Sequence, residues 1–200
     1  MPDRLILWTY DWVPQGPRGH VRDIRLRWAC EEAGLSYTVR SVRFEDRTGP
    51  DHLARQPFAQ VPALQDGDIT LFESGACLLH LAGKSEALMP RDPKGRAETQ
   101  QWLISGLNSV EMVTVPWWFI GLSSPSENPP QNPLEGWLAA RLSRLDAVLS
   151  TRDHLAAGRF TVADLLMADI LRVKKLRAAL GPYPALLAYT DRILDRPAFR

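Results

Sequence analysis

Two short apolar runs, VPAL (61–64) and ITLF (69–72), flank Asp66-Gly67-Asp68. Asp-Gly between apolar runs is a strong hairpin signal, because the tight turn needs a residue that takes positive φ without steric cost. The segments around this hairpin then fall into order. RLILWTY (4–10) is a short apolar run and reads as a buried strand. DWVPQGPRG (11–19), with two prolines and two glycines, is a loop. HVRDIRLRWACEEAGL (20–35) sets Ile24, Trp28 and Leu35 among charged residues, with Gly34 as a helix stop. YTVRSVRF (37–44) alternates and is β-rich. Strand, helix and strand at this length imply a right-handed parallel crossover. Residues 45–59 read as irregular, with one helical turn around His52–Gln56, and a helix over 74–82 closes the unit after the hairpin.

The second half carries no strand pattern. KGRAETQQWLISGLNSVEMVTVPWWF (94–119) is a long helical pattern that Pro116 is expected to kink or interrupt. SSPSENPPQNP (123–133) is a proline-rich loop. LEGWLAARLSRLDAVLS (134–150) has Leu138, Leu142, Leu145 and Leu149 at helical spacing, and RFTVADLLMADILRVKKL (159–176) and YPALLAYTDRILDR (183–196) are further helices. Thr161 and Asp164 fit a capping box, with Phe160 and Leu165 at the positions of a hydrophobic staple. That cap accounts for Asp164, and Asp169 falls in an apolar stripe, so neither is read as a catalytic carboxylate. The boundary lies near MPRDPKG (89–95), giving an α/β domain over 1–84 and an all-helical domain over 93–200.

Composition excludes several function classes. The 200 residues are 45% hydrophobic and 24% charged, with a net charge of +1, so no basic surface argues for nucleic acid or an anionic membrane. No apolar run reaches the roughly 18 residues of a membrane span, and the start of the chain is too short an apolar run for a signal peptide. Cys30 and Cys77 lie in helical patterns and form no CxxC, so neither a disulfide framework nor a zinc site is expected, and a reducing cytoplasm fits. His80 and His154 have no companions at ligand spacing, and no metal is expected.

The candidate binding residues cluster around the hairpin. A proline opening a strand suits a cis bond at Val61–Pro62, which would turn the peptide groups of Val61 outward to pair with another extended backbone. A helix starting at Ser74 offers free amides and the positive end of its dipole to a carboxylate, and Glu73 beside it suits an ammonium group. A short peptide carrying an α-amino acid head would satisfy all three. The plain structural alternative makes Ser74 an ordinary cap and leaves Glu73 exposed.

The segments LILWTY, RWACEEAGLSY, PFAQVPALQDGDITLFESGACLLHLA and GRFTVADLLMADILR resemble the cytosolic glutathione transferases of bacterial type, in the family's order and across almost the whole chain. The resemblance implies a thioredoxin-like N-terminal domain that binds glutathione and an all-helical C-terminal domain that lines the pocket of an electrophilic co-substrate. It implies that Val61 pairs with the cysteinyl backbone of glutathione and that Glu73 and Ser74 hold its γ-glutamyl head, with Gln60 and Pro62 beside them. Family members place a Tyr, Ser or Cys after the first strand to stabilise the glutathione thiolate. PQGPRGHVRDIR (14–25) contains neither Ser nor Cys. Tyr10, at the end of the first strand, is the expected donor, with Thr9, Trp12, Arg18 and His20 as the other groups nearby. Trp12, Trp117 and Trp118 are expected at the co-substrate pocket, core packing being the alternative for the last two. The resemblance also implies a homodimer in which Asn108 or Glu111 approaches the neighbour's glutathione.

Three functional readings stand at this point. One is conjugation of the glutathione thiolate to a small hydrophobic electrophile, a detoxifying reaction. Another is a glutathione-dependent isomerase, dehalogenase or disulfide reductase, the last disfavoured by the absence of a cysteine near the first helix. The third is a binding or structural protein without catalysis.

Overall fold

The computed structural model describes residues 5–123 and 132–200. The chain divides into two compact units, Met1–Met89 and Pro90–Arg200.

The first unit is a four-stranded mixed sheet with helices. β1 (Leu5–Tyr10) pairs in parallel with β2 (Tyr37–Val42) and antiparallel with β3 (Ala63–Asp66), which pairs with β4 (Ile69–Phe72), giving the order β2-β1-β3-β4. The crossover between β1 and β2 is α1 (Asp23–Ala33), ended by Gly34 in the left-handed conformation that glycine adopts most readily. α1 packs on α3 (Ser74–Gly83), and both pack on the sheet. Leu7, Leu26, Leu64, Cys77, Leu78 and Leu81 are fully buried there. Each buried leucine contributes about 1.5–3 kcal/mol relative to an exposed one.

Two local expectations change. Asp66 stays in the ladder, paired with Ile69, so the hairpin loop is Gly67-Asp68 alone, with positive φ at Gly67. The Asp66 carboxylate accepts from His80 Nε2 at 2.7 Å and from the Lys84 ammonium, and these two partners hold its pKa below the usual carboxylate range. His80 thus has a carboxylate companion that its sequence spacing hides. The turn expected at His52–Gln56 starts earlier: a 3-10 helix spans Phe44–Thr48 and α2 spans Pro50–Leu53, because Pro50 is preorganised for a first helical position.

The second unit is all-helical among its described residues: α4 (Pro93–Ser105), α5 (Met112–Ser123), α6 (Glu135–Leu149), α7 (Val162–Leu171), α8 (Lys174–Ala178) and α9 (Pro184–Leu194). The proline-rich stretch expected as a loop falls largely outside the described residues. Pro116 lies inside α5, and the break comes a turn earlier, as a π-helical segment over Gly106–Glu111. Gly106 sits there against α7, where an added Cβ would lie 3.2 Å from Leu166 Cδ2. The helix read over 159–176 is two helices. Val173 is extended with ψ 122°, while buried Leu171 and Leu176 carry the apolar period across the break and make it look continuous.

The capping box at α7 is present, and its carboxylate does more than cap. Asp164 is fully buried. One oxygen accepts from the Leu155 amide at 2.8 Å and the Tyr189 hydroxyl at 3.0 Å; the other accepts from the Thr161 amide at 2.9 Å and the Thr161 hydroxyl at 3.2 Å. Burial pushes the carboxyl pKa up, and the amides of Leu155 and Thr161 and the Tyr189 hydroxyl pull it back down. One side chain therefore ties the α7 start, the loop before it and α9. Removing it as Asp164→Ala orphans buried donors at about 1–3 kcal/mol each. The variant is expected to lose several kcal/mol in denaturant unfolding, against about 1 kcal/mol for loss of an exposed cap.

Candidate functional site

The Val61–Pro62 bond is cis. The β1–β3 ladder begins at Ala63, so Val61 lies just outside it. The segment before Val61 is held by groups from three directions. The Tyr10 hydroxyl donates to the Ala59 carbonyl at 2.6 Å. His52 Nε2 donates to the Gln60 carbonyl at 2.8 Å, which fixes the proton on that nitrogen. The buried Gln56 side chain accepts from the Phe58 amide at 2.7 Å. Ala59 has φ 55°, a conformation an alanine adopts only when its surroundings impose it.

Across the hairpin, Glu73 also has positive φ, 67°, and its side chain is exposed. Ser74 is the first residue of α3 and is buried. It is no ordinary cap: no side-chain cap bond forms at this helix start. Its Oγ instead accepts from Nη1 of Arg25 at 3.2 Å, which leaves the hydroxyl proton available to an incoming acceptor. Arg25, on α1, is only 2% exposed. A guanidinium, a serine hydroxyl and the first amides of a helix thus converge where a carboxylate fits. The sequence reading missed Arg25, which looks like one more charge on an amphipathic helix. Its signal was its place directly before Leu26, with Trp28 and Ala29 completing the buried face.

Tyr10 sits where the sequence puts it, but its hydroxyl has one proton and that proton goes to Ala59. In this geometry it can accept a further hydrogen bond and has none to donate to a thiolate. Its ring lies edge-on to Phe44, centroids 5.2 Å apart, and 6.4 Å from the His52 ring. Burial pushes the phenol pKa up, against an opposite pull from Arg47. Trp12 is 53% exposed and edge-on to Phe44, and the Arg47 guanidinium lies 4.3 Å from the centre of the Phe44 ring. Arg18 is exposed, its Nε donating to the Val13 carbonyl at 3.2 Å. His20 is half-buried, three residues before α1 begins.

In the helical unit, Trp117 and Trp118 differ. Trp117 is 5% exposed, donates its indole N–H to Glu135 at 2.6 Å and lies under the Lys175 ammonium, 5.1 Å from the ring centre. Trp118 is half-buried and edge-on to the exposed Phe119. Asn108 is exposed and Glu111 buried. Among the described residues no group of three or more His, Cys, Asp or Glu could hold a metal, and no helix is long and apolar enough to cross a membrane.

Residues 16–83 match the model of the glutathione S-transferase N-terminal domain, and residues 112–197 match that of the C-terminal domain. Glutathione S-transferase 1 of Zea mays is 31% identical over 187 residues, covering 87% of each chain. The chain belongs to the glutathione S-transferase family. Glutathione S-transferase 4 of Zea mays is 50% identical over 186 residues, covering 85% of this chain and 82% of the relative. Among solved structures, glutathione S-transferase-I bound with lactoylglutathione superposes with a TM-score of 0.80 at 27% identity, over 100% of this chain and 97% of that one. A glutathione transferase family member from Pseudomonas fluorescens with two glutathione molecules bound gives a TM-score of 0.82 at 25% identity, over 100% and 92%. The N-terminal transferase match takes in Gln60, Val61, Pro62, Glu73 and Ser74 but begins after Tyr10 and Trp12.

Proposed function

We propose that this glutathione transferase conjugates the glutathione thiolate to a small hydrophobic electrophile. The observation that carries the reading is the Arg25–Ser74 pair beneath the start of α3, next to an exposed Glu73. Those groups complement a free amino acid head: the carboxylate meets Ser74 and the helix amides, and the ammonium meets Glu73. Val61 offers its backbone to the cysteinyl residue, with Gln60 and Pro62 completing the edge. Residues 1–84 form the glutathione-binding domain and 93–200 the helical one. Trp117, buried and bonded to Glu135, is core of the helical unit. Disulfide reduction is the weaker alternative, since both cysteines are buried and free, with burial pushing each thiol pKa up to about 12.

Calorimetry tests the binding half. Glu73→Gln with Ser74→Ala is expected to weaken glutathione by about 1.5–3 kcal/mol per lost charged hydrogen bond while leaving thermal unfolding in place. An unchanged dissociation constant removes the site from consideration. A panel of aryl and alkyl electrophiles tests the reaction.

The thiolate needs a donor near the start of α1, and His20 is the residue we propose. A hydrogen bond from its imidazole to the thiolate would lower the thiol pKa and raise the reactive fraction. His20→Ala is expected to lower the conjugation rate by about 10–100-fold at pH 6.5. The loss should shrink as pH approaches a free thiol's value of about 8.5. A pH-rate profile identical to that of the unaltered enzyme would rule His20 out.

We also propose a cytoplasmic homodimer. Phe58 and Phe72 form an exposed edge-to-face pair, centroids 6.1 Å apart, on the first unit, and a second copy would remove this apolar surface from water. Sedimentation velocity at micromolar concentration should give a dimer; a monomer there overturns the assembly.

A further inference from the structure

We infer that Tyr10 and His52 are positioning residues: together they clamp the successive carbonyls of Ala59 and Gln60 and so aim the Val61 backbone at its ligand. The inference rests on the glutathione site proposed above and assigns Tyr10 a role other than thiolate donor.

The two hydrogen bonds are short, 2.6 and 2.8 Å, and converge from different elements. Tyr10 ends β1, while His52 comes from α2 and is 1% exposed. They grip adjacent peptide groups immediately before Val61. A loop tied at one carbonyl can rotate about it; a loop tied at two in a row, with Gln56 holding the Phe58 amide as well, has one orientation.

Two further features accompany the clamp. Ala59 is held at φ 55°, where a residue with a Cβ does not settle unaided. Among the described residues, the buried Nδ1 of His52 has no hydrogen-bond partner, so the ring is held through Nε2. Nε2 carries a proton, because the Gln60 carbonyl can only accept. A free loop would relax both features.

The consequence separates this role from a catalytic one. A donor to the thiolate acts only on ligands with a thiol. A clamp behind Val61 acts on any ligand that pairs with that backbone, whether or not its sulfur can ionise. S-methylglutathione, whose sulfur is blocked, is therefore the discriminating probe.

The experiment compares glutathione and S-methylglutathione by calorimetry on the unaltered chain, Tyr10→Phe, His52→Leu and His52→Gln, with thermal unfolding of each as a control. Tyr10→Phe and His52→Leu should each weaken both ligands equally, by about tenfold, the size of one neutral hydrogen bond. His52→Gln, whose side-chain amide can still donate to the Gln60 carbonyl, should recover most of that loss. The KM for glutathione should rise while kcat at saturation stays within about twofold, as loss of uniform binding requires. Weakening of glutathione alone in Tyr10→Phe, with a raised pKa of the bound thiol, would make Tyr10 the thiolate donor and overturn the inference. Unchanged affinity of folded Tyr10→Phe and His52→Leu for both ligands overturns it too, while leaving the glutathione site intact. Failure of the unaltered chain to bind either ligand removes the site, and the clamp with it.

Discussion

β1 is where the parallel and antiparallel halves of the sheet meet, and the rest of the first unit is arranged by that junction. Its register on β3 places Trp8 opposite Ala63. Two residues further along β1 comes Tyr10, and two residues back from Ala63 comes Val61. The candidate site thus lies where the ladder stops. Backbone groups that would pair with each other inside a sheet lie beyond its last rung, and side chains must take over the work of fixing them. A strand end is a natural place for such a site because the rigid ladder lies two residues away.

Much of this was legible in the chain. Asp-Gly between apolar runs, Gly34 at a helix end and the leucine spacing of α6 each depend on local sterics or periodicity, and each is read from a few neighbouring residues. Val61, Glu73 and Ser74 were legible as candidates because their chemistry is local as well: an edge before a proline, a carboxylate, a helix start. The buried partners were not. Arg25 meets Ser74 from 49 positions away, and Tyr10 meets Ala59 across the same interval. Nothing in one sequence says which distant carbonyl a tyrosine will choose, and here Tyr10 bonds that of Ala59. Pro116 misled differently. Proline's missing amide marks a helix as irregular without saying where the irregularity will settle, and the ladder yields at the Gly106–Glu111 segment upstream.

Both units rely on polar groups taken out of water and then paired. Asp164 in one and Arg25 and His52 in the other are buried charged or titratable side chains in otherwise apolar surroundings. Such groups add little net stability when satisfied but cost much when a partner is lost, so they fix one arrangement among several of similar compactness. In the helical unit the arrangement fixed is the start of α7 and its packing on α9; in the first unit it is the backbone before Val61.

The two cysteines bear on a hazard of the proposed chemistry. A protein that concentrates soft alkylating agents beside a sulfur nucleophile exposes its own thiols to the same reagents. Here Cys30 and Cys77 lie in the packed faces of α1 and α3, wholly shielded from solvent, and their high pKa leaves almost no thiolate at neutral pH. Neither cysteine would offer the electrophile a thiolate to compete with that of glutathione. The burial that serves the core would also give the chain immunity to self-inactivation, turnover after turnover.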